Sequence, residues 1–311
     1  MSKNKLKNSI WFVLFEGLKI YFSNIDKFLL YMLFPVFGQI LGIAFAMGLS
    51  ISLMQTVVEK TDSTLMALVY VILLAVPGLL IFTKAFWNYM VAYIALNSMT
   101  EGAVMTGKVY DFQSHNEVAT RRTFQYIIFL LVICALSSVG STIFFIVPGF
   151  IVWIYLILVF QIFTFEPELN LSEIFKRSFI LIKGNWFRTV ILLAILVFFS
   201  IFIISQGVIV VFDYLNLTNW VCSILDEYTS LLPIETVNEV LVFCHLPEIT
   251  ARMISHTIFT SAITFVIAGL TLPIRSICWT LWYMTLAELK PAKGQEKPAK
   301  RKKSTAKEKE E

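Results

Sequence analysis

Residues 28–54 read FLLYMLFPVFGQILGIAFAMGLSISLM, with no charged side chain from Phe28 to Met54. A helix needs about 20 mainly apolar residues to cross roughly 30 Å of hydrocarbon, so this stretch is long enough for a complete crossing. In lipid every backbone N–H and C=O must find its partner inside the protein, which makes such a stretch a helix. Working outward, comparable runs follow at 65–83, with the apolar pattern continuing past Lys84 to Leu96, and at 124–147, 150–165, 187–212 and 258–286. Pro148-Gly149 reads as a tight break between the third and fourth runs. The expected fold is all-α: a polytopic membrane bundle of about six transmembrane helices with interfacial amphipathic helices. Its parts are a cytoplasmic arm and amphipathic helix (1–27), a membrane domain (28–286) and a basic tail (287–311) expected to be disordered.

Composition points the same way. Apolar residues make up 58% of the 311 and charged residues only 15%, against about 25% charged in an ordinary soluble domain; the mean hydropathy is +0.77. The net charge of +4 belongs mostly to the tail, since nine of the 25 basic residues follow Leu289. This distribution gives no reason to expect nucleic acid as a partner. The N-terminal lysines resemble the start of a secretion signal, but Glu16 and Lys19 interrupt the apolar run and no small-residue cleavage site follows.

Lys and Arg accumulate on the cytoplasmic side of membrane proteins, and that rule assigns each connection a side. Lys3, Lys5, Lys7, Lys19 and Lys27 precede the first run; Lys108, Arg121 and Arg122 join the second to the third; Lys176, Arg177, Lys183 and Arg188 join the fourth to the fifth. The intervening set holds Lys60 and Arg252 alone, and the loop 213–256 carries Asp213, Asp226, Glu227, Glu235, Glu239 and Glu248. The alternation closes over six crossings with both termini cytoplasmic, in a plasma membrane.

Between the crossings lie amphipathic segments. Leu6–Asn24 carries a narrow polar stripe of Glu16, Lys19 and Ser23. In 170–184, Asn170 with Glu173 three residues on makes a capping box, and Gly184 suits the left-handed residue that ends a helix. Glu173, Lys176, Arg177 and Lys183 form its polar face and Phe175, Phe179 and Ile182 its apolar one. Such a helix lies in the headgroup plane with Lys176, Arg177, Lys183 and Arg188 toward anionic lipid; the competing reading packs it beneath the bundle. In the acidic loop, Pro233 and Pro247 each stand where a first helical turn would begin. A basic residue also follows an Asn-containing break twice, at Asn24-Lys27 and Asn185-Arg188, as if a helical unit were duplicated, and Val-Pro-Gly recurs at 76–78 and 147–149.

Motifs of chemistry are few. GAVMTGK at 102–108 imitates a phosphate loop, but Val109 stands where a magnesium-binding hydroxyl is required. Gly38, Gly42 and Ala46 recur every four residues, a face of small side chains that lets helices approach closely, either within the bundle or across a dimer seam. Lys84 and Arg275 are the ionisable groups at membrane depth; each lies near the cytoplasmic end expected for its helix, where it would snorkel, with Trp279, Trp282 and Tyr283 as an aromatic belt. Cys222 and Cys244 share the external loop, where an oxidising compartment permits a disulfide; the competing reading is two buried thiols. His245, His256 and Cys244 match no common metal spacing. No cofactor, metal site or catalytic constellation is expected.

One stretch carries a resemblance. Residues 147–191 read VPGFIVWIYLILVFQIFTFEPELNLSEIFKRSFILIKGNWFRTVI. This resembles a diffuse group of bacterial inner-membrane proteins, the YciC-like proteins and the membrane domain attached to some glycerophosphodiester phosphodiesterases. Pro148, Gly149, Glu166, Arg177, Ser178, Lys183, Gly184, Asn185 and Arg188 fill the recurring places, Trp282-Tyr283 is similar to the group's aromatic ending, and Phe175 departs from its usual small residue. The resemblance implies a six-helix inner-membrane fold; the phosphodiesterase domain is not in this sequence, so nothing catalytic comes with it. The expected role is non-enzymatic: envelope maintenance, lipid organisation or assembly of a partner, with anionic lipid and a membrane protein or second copy as partners. The alternative is a transporter of a small solute or lipid.

Overall fold

The computed structural model describes residues 9–60, 63–106, 109, 124, 125, 127–132, 135, 146–232 and 234–289. These are helical with short connections, and no strand occurs among them. The helices are α1 (Ile10–Ser23), α2 (Ile25–Glu59), α3 (Thr64–Thr106), α4 (Ile146–Leu156), α5 (Val159–Phe165), α6 (Leu171–Ile182), α7 (Trp186–Val197), α8 (Ile204–Tyr214), α9 (Leu217–Thr229), α10 (Ile234–Phe243), α11 (Ala251–Leu270) and α12 (Leu272–Leu289). A π-helical turn, Phe198–Ile203, joins α7 to α8 without a break. Among the described residues four segments are long and apolar enough to cross a membrane: Ile25–Leu53, Leu65–Thr100, Trp186–Tyr214 and Ala251–Leu270. The lysines at 3, 5 and 7, the connection with Lys108, Arg121 and Arg122, most of the 124–147 run, Pro233 and the tail from residue 290 lie outside the described residues.

The chain divides into two compact units: Met1–Gly17, Leu131–Val190 and Cys278–Glu311 form one, Leu18–Leu130 and Ile191–Ile277 the other. The second is built on the hairpin of α2 and α3. Helix α3 has 43 residues, which at 1.5 Å per residue is about 65 Å, some twice the hydrocarbon thickness. Its two halves meet different surroundings. Leu65 and Leu80 are 70% and 66% exposed, whereas Leu96 and Met99 are wholly buried. The first half presents the surface of a lipid-facing helix; the second half, with Ala92, Ile94, Ala95 and Asn97, is protein core. The second crossing read at 65–83 is therefore only the exposed part of a longer rod.

The small-residue face lies at the α2–α3 contact. A methyl group placed on Gly42 would stand 2.5 Å from the backbone nitrogen of Phe82, and one on Gly38 would stand 2.8 Å from the Ala85 side chain. On α3, Gly78 faces the Gly42 carbonyl and the backbone of Ala46, also with no room for a side chain. Lipid supplies no hydrophobic drive between helices, so close backbone approach and dispersion must hold such a pair. The face lies within the hairpin, the first of the two readings of the Gly38-Gly42-Ala46 repeat. Helix α11 joins the same unit through Gly269, whose missing side chain leaves space for Val36, and the Tyr21 hydroxyl donates to the Leu270 carbonyl at 3.4 Å.

Four boundaries differ from the sequence expectation. Pro148 and Gly149 sit in the first turn of α4 rather than in a tight break, because a proline near a helix start removes an N–H that has no intrahelical partner there. The run 150–165 breaks at Ile157-Leu158 into α4 and α5. The run 258–286 is two helices that meet at Thr271; Pro273, in the first turn of α12, has no N–H to carry the hydrogen-bond ladder of α11 across the junction. Pro247 opens no helix either: α11 starts at Ala251, where the Thr250 side chain accepts the Met253 N–H.

The α2–α3 contact yields a first expected outcome. Gly42→Leu should cost about 3 kcal/mol by overpacking, read as a lower unfolding midpoint in detergent with the oligomeric state unchanged. Gly48→Ala, where an added methyl meets nothing within 4 Å, should leave the midpoint level or raise it. Equal midpoints for Gly42→Leu and the parent would show that the two helices do not meet at this face.

Candidate functional site

In the first unit, α6 is set by its own sequence. Asn170 accepts the Glu173 N–H at 3.0 Å and Glu173 returns an acceptor to the Asn170 N–H at 2.9 Å, completing the capping box. Gly184 follows the helix with φ +85°, a left-handed conformation that glycine adopts without steric cost. Between these ends the buried stripe is Ile174, Arg177, Ser178, Leu181 and Ile182, spaced as one face of a helix. An arginine and a serine therefore occupy the middle of the face that packs inward.

Each has a partner. The Arg177 Nε donates to Glu166 Oε1 at 3.1 Å, with the two side chains only 10% and 15% exposed. The Tyr283 hydroxyl donates to the same oxygen at 2.8 Å, and its ring stacks on Phe165 with centroids 5.3 Å apart. Ser178 donates to the Tyr155 carbonyl at 2.6 Å; α4 ends at Leu156, and carbonyls in a last turn lack helical donors. The Tyr155 ring stacks on Phe179 at 4.4 Å. A step further along, Trp282 Nε1 donates to Thr189 Oγ1 at 3.1 Å, and Thr189 Oγ1 donates to the Asn185 carbonyl at 3.0 Å. Glu166, Arg177, Ser178, Asn185, Trp282 and Tyr283, separate in sequence, thus form the polar framework of this unit.

This framework corrects two expectations. Arg177 does not lie on the solvent-facing basic surface; position 177 falls on the inward stripe, and Glu166 balances its charge there. Lys176, Lys183 and Arg188 remain exposed, beside exposed Phe179, Ile180 and Phe187, the last at 69%. Trp279, Trp282 and Tyr283 are buried rather than arrayed as a surface belt, because two of the three have indole or phenol partners inside the unit.

In the second unit, Lys84 is exposed on α3. Arg275 turns back so that Nη2 donates to the Ala268 carbonyl near the end of α11, where cationic side chains satisfy free carbonyls. Asn97, fully buried, accepts from the Ser276 hydroxyl at 2.7 Å, a pair that apolar periodicity gives no means to foresee. Residues 102–106, the bulk of the phosphate-loop look-alike, are helical. The acidic segment between Asp213 and His256 holds α9 and α10. Arg252 bridges Asp226 at 2.8 Å and Asn219 at 2.7 Å, and Asn238 bonds both the N–H and the carbonyl of Ile249. Cys222 and Cys244 are both free; Cys222 is fully buried and Cys244 exposed, and burial pushes the Cys222 thiol up, away from the reactive thiolate. No group of three or more His, Cys, Asp or Glu side chains converges as a metal site among the described residues. The two Asn-containing breaks differ: Asn24 alone separates α1 from α2, whereas Asn185 follows the left-handed Gly184 in a three-residue break before α7.

Chemically, the Glu166 cluster is a clamp: one carboxylate oxygen takes two donors from two other segments of the chain. No family model, curated protein or solved structure matches this chain.

Removing one partner of a buried ion pair leaves an uncompensated charge, at about 3–5 kcal/mol. Arg177→Met should therefore lower the unfolding midpoint in detergent severely, and Tyr283→Phe by only about 1 kcal/mol. Glu166→Gln combined with Arg177→Met should be much less damaging than the two singles summed. Additive losses in that double-mutant cycle would show that the two groups do not interact.

Proposed function

We propose that this chain is a non-enzymatic protein of a bacterial inner membrane that organises anionic lipid at the cytoplasmic leaflet, akin to the YciC-like group. The proposed topology has six crossings: α2, α3, the 124–147 segment, α4 with α5, the α7–α8 rod, and α11. Helix α12 follows the last crossing, so both termini stand on the cytoplasmic side with Lys176, Lys183 and Arg188, and the acidic segment of α9 and α10 stands outside. The four long apolar helices and the one-sided distribution of Lys and Arg support this arrangement.

The observation that carries the proposal is the corner between α6 and α7. Three exposed cations, Lys176, Lys183 and Arg188, stand among exposed Phe179, Ile180 and Phe187. That pairing of apolar anchor and cationic rim is the surface of an interfacial helix. Each cation near an anionic leaflet contributes about 1 kcal/mol, so three supply about 3 kcal/mol of lipid preference. Arg177, neutralised by Glu166, adds no net charge to that surface. A helix held in one rotation by the Arg177 clamp presents the same rim continuously, which suits recruitment of anionic lipid or docking of a membrane partner on a lipid-coated face.

Phosphatidylglycerol added to detergent-solubilised protein should raise the unfolding midpoint more than phosphatidylcholine does. Lys176→Gln, Lys183→Gln and Arg188→Gln combined should abolish that difference while leaving the midpoint without lipid in place. A triple variant that responds to phosphatidylglycerol as the parent does would refute the lipid role. In parallel, alkaline phosphatase fused after Glu311 should be inactive in cells and active when inserted after His245; the reverse would refute the topology.

A further inference from the structure

Within the second unit, an open cleft of about 720 Å³ runs between the α7–α8 rod and α11. Both walls belong to segments long and apolar enough to cross a membrane, yet much of the lining is polar. On α11 the cleft is lined by His256, Thr260 and Thr264, four residues apart and so on one face of the helix, with Ser261 beside them. On the rod, Gln206 and Asp213 face it, with Ile209 between. The lining spans His256 to Ala268 on α11 and Ile201 to Asp213 on the rod, about 18 Å along either helix. Ile201 comes from the π-helical turn, an irregularity frequent at functional sites.

Polar side chains in a membrane helix are costly unless paired. Thr260 returns its hydroxyl to the His256 carbonyl at 2.9 Å, and Asp213 Oδ1 accepts the Thr218 hydroxyl. The side chains of Gln206, Ser261 and Thr264 make no hydrogen bond to another described residue. Gln206, Asp213, His256 and Ser261 are exposed along the open side of the cleft, so their polar atoms are accessible to a polar occupant. Its charge follows from the lining: Asp213 is the one carboxylate, and neither Lys nor Arg is present. The Gln206 amide, the hydroxyls and the His256 imidazole both donate and accept hydrogen bonds, so they can serve an N–H donor while Asp213 alone selects for positive charge. The volume falls within the range of organic ligands and far exceeds a bare ion, and Ile209 and Phe265 supply apolar contact.

We infer that this cleft is a binding site for an alkylammonium group, paired with Asp213 and hydrogen-bonded by the α11 hydroxyls and Gln206. The group is either a soluble amine or the aminoethyl head of a lipid. The site shares no residue with the basic corner of α6 and α7, so it stands apart from the lipid preference proposed there.

The test uses the full chain in nanodiscs of phosphatidylglycerol, with phosphatidylethanolamine in the bilayer in one arm and soluble phenethylamine in the other; 2-phenylethanol is the uncharged control. The parent's unfolding midpoint should rise in one arm, which identifies the source, and not with the control. Asp213→Asn, which keeps an acceptor for Thr218, should weaken the response at least about tenfold in apparent affinity. Ser261→Trp, which fills the cleft and leaves Asp213 intact, should do the same. Two results overturn the inference: no response of the parent to either amine, or an undiminished response in whichever of the two variants retains the parent's midpoint in the absence of amine.

Discussion

Two helices in lipid gain nothing from hiding apolar surface, because the acyl chains are as apolar as the side chains they would replace. What holds α2 to α3 is therefore contact at backbone distance, and that contact rests on Gly42 and Gly78, each lying against the backbone of the opposite helix. Larger residues at either place would separate the helices and remove the dispersion contacts along the rest of the hairpin. With α2 fixed, Val36 is positioned to fill the space over Gly269, and α11 gains its place in the same unit. The three glycines act as one device: the absence of a side chain on one helix receives the backbone or the methyl groups of another.

The first unit solves a different problem with charge. Helices α4, α5 and α6 have 11, 7 and 12 residues, too short for extended glycine-mediated contacts. Instead α6 is capped at its first turn, stopped at Gly184, and held in rotation by Arg177 on Glu166. A buried ion pair is a poor source of net stability, since desolvation offsets much of the attraction. It is a strong source of specificity here, because rotating α6 would move Arg177 off the carboxylate and leave both charges unpaired in an apolar setting. The exposed positions of Lys176 and Lys183 follow from that fixed rotation.

Several features were legible in the residues. The capping box of Asn170 and Glu173 and the left-handed Gly184 depend on neighbours within one or two turns, whereas the small-residue repeat of Gly38, Gly42 and Ala46 is legible but its partner on α3 is not. The structure places the cap and the stop where local chemistry puts them. Arg177 was not legible in the same way. On a helical wheel it continues the polar side with Lys176, and only the arrival of Glu166 eleven residues earlier and Tyr283 more than a hundred later makes its burial tolerable. Trp279, Trp282 and Tyr283 likewise read as a surface belt until Thr189 and Glu166 supply interior partners. The polar stripe His256, Thr260, Thr264 was present as a four-residue repeat, but a stripe acquires a meaning only when the facing rod leaves room beside it.

The sequence by itself determined that the described residues are helical and that the first, second and fifth apolar runs are long enough for lipid, and it placed the cap at Asn170 and the stop at Gly184, because these depend on composition and on contacts within a few residues. The tertiary structure alone decided which polar groups are neutralised, which aromatics are core, that the apolar rod beginning at Leu65 is lipid-like in one half and buried in the other, and that a polar cleft opens between two apolar helices. The physical reason is the same in each case: the cost of a buried charge, an indole N–H or a hydroxyl is set by the partner that meets it, and that partner lies far away along the chain.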